Sequence, residues 1–210
     1  MLTKTSVGNA LLDVATASRA HPDSTVSGDA SLAVPTRSGA LLAVIDGLGH
    51  GEDAAQAANL AIATVRDWAD RDLESIVDAC EVAVRKSRGC VMGLVALAQE
   101  AEVLKWVGVG NVEGVIWGSD GGHCRLVGRP GIIGMGRQRV HIASVSFAPG
   151  DVLALATDGI APAGLDAANV RGGVAEIAAD ILAHHARSDD DALVLVARRD
   201  RRPRDAVSTP

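Results

Sequence analysis

Apolar positions recur along the chain in two rhythms. Short runs rich in β-branched residues, bounded by Gly, Asn or Asp, predict extended segments. They are LLAVI (41–45), CVMGLVALA (90–98), VLKWVGV (103–109), VEGVIW (112–117), HIASVSF (141–147), DVLALAT (151–157) and ALVLVAR (192–198). Between two of them, Pro149-Gly150 predicts a turn, because proline presets one central dihedral and glycine tolerates positive φ at the next. The second rhythm is helical. Ala54, Ala58, Ala61, Val65 and Trp68 recur at spacings of four and three, which predicts one apolar stripe from Glu52 to about Ala69. Asp72 is placed to cap a second helix with the stripe Leu73, Ile76, Val77, Cys80 and Val84, ending near Gly89. A third helix is predicted from about Val174 to Ala186, since Gly172-Gly173 disfavours an earlier start.

The order is strands, two consecutive helices, many strands, one helix and one strand. Successive hairpin-like strands imply mainly antiparallel sheet, so the class is α+β with helices covering sheet faces. No repeat or linker divides the chain, and residues 1–199 are expected to form one domain. Residues 200–210 are expected to be a flexible, arginine-rich C-terminal tail. RRDRRPR (198–204) carries five arginines in seven residues. It reads as the solvated end of the last strand or as a contact for an acidic partner.

Composition narrows the function. Apolar residues make up 48 % of the 210, enough for a substantial core, but aromatics only 2 %. A single-strand nucleic-acid binder needs aromatic stacking platforms, and a formal charge of −6 opposes binding to a phosphate backbone. No nucleic-acid partner is expected. The three cysteines, Cys80, Cys90 and Cys124, form no C-x-x-C pair, which offers no zinc site and suits a reducing compartment. The first twenty residues lack a signal-like apolar core, and no window reaches ~18 uninterrupted apolar residues. A cytoplasmic monomer without membrane attachment is the expectation.

Four carboxylates stand at the edges of apolar strands: Asp29 in SGDASLAV, Asp46 in AVIDGLG, Asp158 in ALATDGI and Asp190 in SDDDALVLV. Taken singly, Asp29 reads as a turn or cap residue, Asp158 as a turn and Asp190 as a strand cap. Taken together, they need positive charge that their own motifs lack, because a buried, unpaired carboxylate otherwise takes up a proton. A divalent cation supplies that charge, and an all-oxygen donor set favours Mg²⁺ or Mn²⁺ over zinc. Gly47 has no side chain, so its carbonyl and the Asp46 carboxylate can approach one ion together. Two ions about 3.5–4 Å apart could share Asp46, activate water and clamp a phosphoryl group. The Gly47–Gly51 run could instead cradle phosphate on its N–H groups. Its spacing is G-x-G-x-G, however, with neither G-x-G-x-x-G nor G-K-[ST]. His50 within it either donates to phosphate or ties down the turn.

On these residues the sequence resembles the SpoIIE-type branch of the PPM metal-dependent Ser/Thr protein phosphatases. The matching pieces stand in family order: SGD (27–29), VIDGLGHG (44–51), GC (89–90), GVGNVEGVI (108–116), GRPGIIG (128–134), LALATDGI (153–160) and DDALVLV (190–196). Within the branch, V-G-x-G-N-V and the lack of a sensor domain are most similar to the stand-alone phosphatases of bacterial stressosome modules. The resemblance implies a four-layer α-β-β-α sandwich of two mainly antiparallel sheets, with two Mn²⁺ or Mg²⁺ ions between the sheets. It implies that Asp46 bridges both ions, that Asp29 and the Gly47 carbonyl serve one, and that Asp158 and Asp190 serve the other. Asp191, the second acid of the pair, is either an outer support or the true ligand.

Two departures stand out. Many members carry threonine two residues after the acid pair, where this chain has Leu193, and the phosphate-holding arginine of eukaryotic relatives is not evident in DSTVSGD. The implied activity is hydrolysis of phosphoserine or phosphothreonine by metal-activated water. The implied substrates are phosphorylated STAS-domain proteins of the RsbS or RsbR kind. They would be recognised by the glycine-rich loops of 118–140, where Arg125, Arg129, Arg137 and Arg139 meet phosphate or acidic surface, or are ordinary solvated arginines. The alternatives are a non-catalytic module on the same fold and a two-metal hydrolase of small phosphoesters.

Overall fold

The computed structural model describes residues 1–7, 12–136 and 139–200. Arg137 and the tail beyond residue 200 lie outside the described residues. In chain order the elements are β1 (Leu2–Val7), β2 (Leu12–Arg19), β3 (Asp29–Thr36), β4 (Gly39–Gly47), α1 (Glu52–Asp67), α2 (Leu73–Ala83), β5 (Cys90–Ala98), β6 (Val103–Val109), β7 (Glu113–Trp117), β8 (His123–Leu126), β9 (Ala143–Ser146), β10 (Val152–Ala156), α3 (Pro162–Ala167), α4 (Val174–His185) and β11 (Ala192–Arg199). One sheet has the order β1-β2-β11-β10-β7-β8 and the other β3-β4-β5-β6-β9. Every named strand pair is antiparallel.

Strand alternation builds the layers. On β4, Ala40, Leu42 and Val44 enter a core shared with Leu153 and Leu155 of β10 and Leu193 and Leu195 of β11. Leu41, Ala43 and Ile45 turn to the other face and pack on α1 and α2. On the second sheet, Ala154, Ala156, Val194 and Val196 turn outward onto α4. Each central strand is therefore apolar on both faces, and helices cover the outer faces. This is the α-β-β-α sandwich. The alanines of α1 (Ala54, Ala58 and Ala61) are buried against the sheet, and small side chains let the helix lie close to it.

Asp72 caps α2 as its sequence position predicts, accepting from the Ser75 N–H at 2.9 Å and the Ser75 hydroxyl at 2.7 Å. That helix ends at Ala83 rather than near Gly89. The residues that follow cross to β5 through a turn. The part of the glycine-rich stretch at 128–136 is fastened down. Ile133 bridges to Cys90, and the buried Glu81 carboxylate accepts from the Gly134 and Gly136 N–H groups, both at 2.7 Å. Two arginines of the C-terminal run also differ from a solvated strand end. Arg199 is 3 % exposed and donates to the Ala101 and Phe147 carbonyls, both at 2.7 Å. Arg198 donates to the Val170 and Gly172 carbonyls. Position 199 continues the inward series 193, 195 and 197, so its guanidinium is carried between the sheets at the end where carbonyls lack strand partners. Among the described residues no helix is long and apolar enough to cross a membrane.

Candidate metal centre

The same alternation decides where the acids go. Asp46 continues the inward series Ala40, Leu42 and Val44, so β4 delivers its carboxylate to the space between the sheets. Asp29 is its direct partner across the β3–β4 register and stands on the same face. Thr157 follows Leu153 and Leu155, and Asp191 precedes Leu193 and Leu195, so the second sheet sends these two groups to the same edge. Asp158 lies one residue past Thr157, and Asp190 immediately precedes Asp191.

Two glycines allow the approach. A Cβ on Gly47 would run into the Ala54 carbonyl of α1, and one on Gly159 would run into the Asp191 carbonyl. Glycine at these two positions lets the turns after β4 and β10 close on their neighbours.

The two acids of the pair have different surroundings. The buried Asp191 carboxylate accepts from the His21 N–H at 2.8 Å and the Gly28 N–H at 3.0 Å. It thereby holds the segment leading to Asp29. Asp190 is half-buried, and its carboxyl is raised above the usual range, by burial first and then by the charge of Asp158. Asp190 thus faces the other acids, while Asp191 is engaged with backbone.

The remaining acids repel one another. Burial, followed by the charge of Asp46, pushes Asp29 from 3.8 up to about 8, against the opposing effect of the Thr157 hydroxyl, which donates to it at 2.8 Å. Burial, followed by the charges of Asp158, Asp190 and Asp191, pushes Asp46 up to about 7. Asp46 and Asp158 are within hydrogen-bond reach of each other. Two carboxyl groups in contact need either a shared proton or a cation.

An all-oxygen, net-negative group of this kind fits a hard divalent cation. Among the described residues no three His, Cys, Asp or Glu side chains close on one point. The arrangement is therefore a set of neighbouring acids rather than a finished cage.

Several participants escape motif reading. The Asn111 amide donates to Asp158 at 2.7 Å. Asn111 lies in the quoted V-G-x-G-N-V segment, but nothing local gives it a partner 47 residues away. Thr157 is legible from the parity of β10. Its hydroxyl serves Asp29 and accepts from the Leu193 N–H at 3.0 Å, while the Leu193 side chain fills the inter-sheet core. His50 is exposed and stacks on His21, with ring centroids 4.3 Å apart. Of the loop arginines, Arg125 is tied to Glu113 and Asp166 and does not reach toward the site.

Comparisons with known proteins bear on the family and the fold. The phosphoserine phosphatase RsbX of Bacillus subtilis (strain 168) is 25 % identical over 120 residues, which is 57 % of this chain and 60 % of that protein. A solved structure from work on the bacterial stressosome, as a modular system adapted to control secondary messenger signalling, is 32 % identical with a TM-score of 0.81. It covers 89 % of this chain and 99 % of that one. A crystal structure of RsbX in complex with magnesium has a TM-score of 0.83 at 20 % identity, over 95 % of this chain and all of that one, which is a likeness of fold. The sequence profile described as stage II sporulation protein E (SpoIIE) matches residues 36–201, a span that includes Asp46, Asp158 and Asp190, so the chain belongs to the SpoIIE family.

Proposed function

We propose that this chain is a metal-dependent protein serine/threonine phosphatase acting on phosphoserine or phosphothreonine of a partner protein. The observation that carries the reading is the meeting of Asp29, Asp46, Asp158 and Asp190 at one edge of the sandwich, with Asp46 against Asp158 and with burial and mutual charge raising Asp29, Asp46 and Asp190. In this reading Asp46, with Asp29 and the Gly47 carbonyl on one side and Asp158 and Asp190 on the other, would hold two Mn²⁺ or Mg²⁺ ions. Asp191 is a positioning residue. When bound, the ions supply Lewis acidity toward water and phosphoryl oxygens.

The chain's own contribution is orientation. Asn111 fixes one Asp158 oxygen, Thr157 fixes one Asp29 oxygen, and Asp191 ties down the His21 and Gly28 backbone. Such supports hold ligands in place before the ion arrives. No thiol nucleophile is needed. Cys80 and Cys90 are buried, and burial raises both thiols, that of Cys80 to about 12.

The substrates in this reading are phosphorylated STAS-domain proteins of the RsbS or RsbR kind, met in the cytoplasm. The likeness to RsbX and to the stressosome structure supports that choice. The test is phosphate release from a phosphorylated STAS protein with Mn²⁺, with p-nitrophenyl phosphate compared alongside. Release that needs the metal and is lost in Asp46→Asn is expected. Release that persists in chelator would overturn the mechanism. Turnover of p-nitrophenyl phosphate alone would favour a small-phosphoester hydrolase.

A further inference from the structure

Arg88 enters the surroundings of the site from an element that the acid motifs do not contain. It precedes Gly89, whose carbonyl accepts from the Leu48 N–H at 3.1 Å, so its backbone is joined to the turn that follows Asp46 and Gly47. Its side chain extends over that turn. Nη1 lies 2.8 Å from where a Cβ on Gly49 would sit, a space left open by the missing side chain. Nη2 pairs with the Asp53 carboxylate of the first turn of α1 at 2.8 Å. The side chain is about half exposed, 51 %.

Three considerations give this geometry a use. First, the guanidinium pairs through Nη2 with Asp53, which is not one of the acids of the site, and carries Nη1 over the Gly49 turn. Second, other arginines are committed elsewhere: Arg125 to Glu113 and Asp166, Arg198 and Arg199 to carbonyls, and Arg37 to Asp70. Third, Arg85 and Lys86 are exposed on the same turn after α2, which adds positive potential where an anionic segment would arrive. A guanidinium presents paired donors that match phosphoryl oxygens, and a carboxylate on one edge aims the fork.

We infer that Arg88 is a substrate-phosphate contact of this enzyme, held in position by Asp53 and brought over the Gly49 turn from the α2–β5 connection. The inference rests on the phosphatase reading for its substrate, a phosphomonoester dianion on a protein.

The test uses the full chain loaded with Mn²⁺. Inorganic phosphate binding is measured by calorimetry, and KM and kcat are measured on p-nitrophenyl phosphate and a phosphoprotein. Arg88→Ala should weaken phosphate binding and raise KM by about tenfold each, with kcat within a factor of about three and Mn²⁺ affinity unchanged. Arg88→Lys should recover only part of the loss, because an ammonium keeps the charge but not the fork. Asp53→Asn should give a smaller change, about two- to threefold, through looser aim of the guanidinium. Circular dichroism of each variant checks that the fold is retained. Unchanged phosphate affinity and KM in Arg88→Ala would overturn the inference, as would a loss confined to kcat or to Mn²⁺ binding. Wild-type protein that binds phosphate but hydrolyses nothing would count against the phosphatase reading, and the calorimetric comparison would still judge Arg88.

Discussion

Removing the charge of Asp46 should make the metal-free protein more stable at alkaline pH while destroying its use of metal. Folding carries the Asp46 carboxyl from 3.8 to about 7. The folded state therefore holds this proton more tightly than the unfolded chain. The associated stability is fully present below about pH 4 and is lost as pH rises through about 7. Each tenfold displacement is about 1.4 kcal/mol, so Asp46 alone weakens the metal-free fold by at most ~4 kcal/mol at pH 8. Asp46→Asn keeps the shape, removes the charge, and relieves Asp29, whose second cause of displacement is Asp46. An amide also still needs hydrogen-bond partners, so a net gain of ~1–3 kcal/mol at pH 8 is expected. For a chain of this size that is a rise in Tm of roughly 2–10 °C. The assay is thermal unfolding in chelator from pH 4 to pH 8 for wild type and variant. The gain should vanish near pH 4, and Mn²⁺ should raise the Tm of wild type only. A variant that is less stable than wild type at pH 8, or a difference that does not depend on pH, would refute the electrostatic reasoning.

Other outcomes follow from the same contacts. Asp190→Asn should lose Mn²⁺ affinity with the fold intact, whereas Asp191→Asn should loosen His21 and Gly28 and lower stability by ~1–3 kcal/mol in urea unfolding. If the two phenotypes were exchanged, Asp191 would be the ligand. Asn111→Ala frees the Asp158 oxygen it now holds and should reduce Mn²⁺ affinity or kcat by about 10–100-fold, read by calorimetry and phosphate release. Arg199→Ala leaves the Ala101 and Phe147 carbonyls without their donor at the far end of the sandwich. It should reduce unfolding free energy by ~2–4 kcal/mol without altering Mn²⁺ affinity.

Much of this architecture is legible in the chain because alternation and helical spacing are local. The stripe of α1 from Ala54 to Val65, the cap at Asp72 and the start of α4 at Val174 stand where the sequence puts them, whereas Trp68, the last member of the expected stripe, lies past the helix end and is exposed. β1 and β2 are less legible. LTKTSV and LDVATASR carry few large apolar residues, and they belong to the sheet through pairing with each other and with β11, the last strand of the chain. α3 has only six residues and begins at a proline, so no apolar period can develop. The acids of the site are legible as positions at strand ends. Their supports are not, because Asn111 and Asp158, or His21 and Asp191, meet only when β7 pairs with β10 and β2 with β11, strands far apart in the chain. Arg199 shows the reverse error. Its arginine-rich neighbourhood suggests solvent, yet strand parity carries it inside.

Anomalous diffraction from crystals grown in Mn²⁺ tests the central claim most directly. Manganese peaks between Asp46, Asp158 and Asp190, with Asp29 beside them and Asp191 still bound to the His21 and Gly28 backbone, are the expected result. Well-ordered carboxylates there with manganese absent, or manganese bound only elsewhere on the chain, would contradict it.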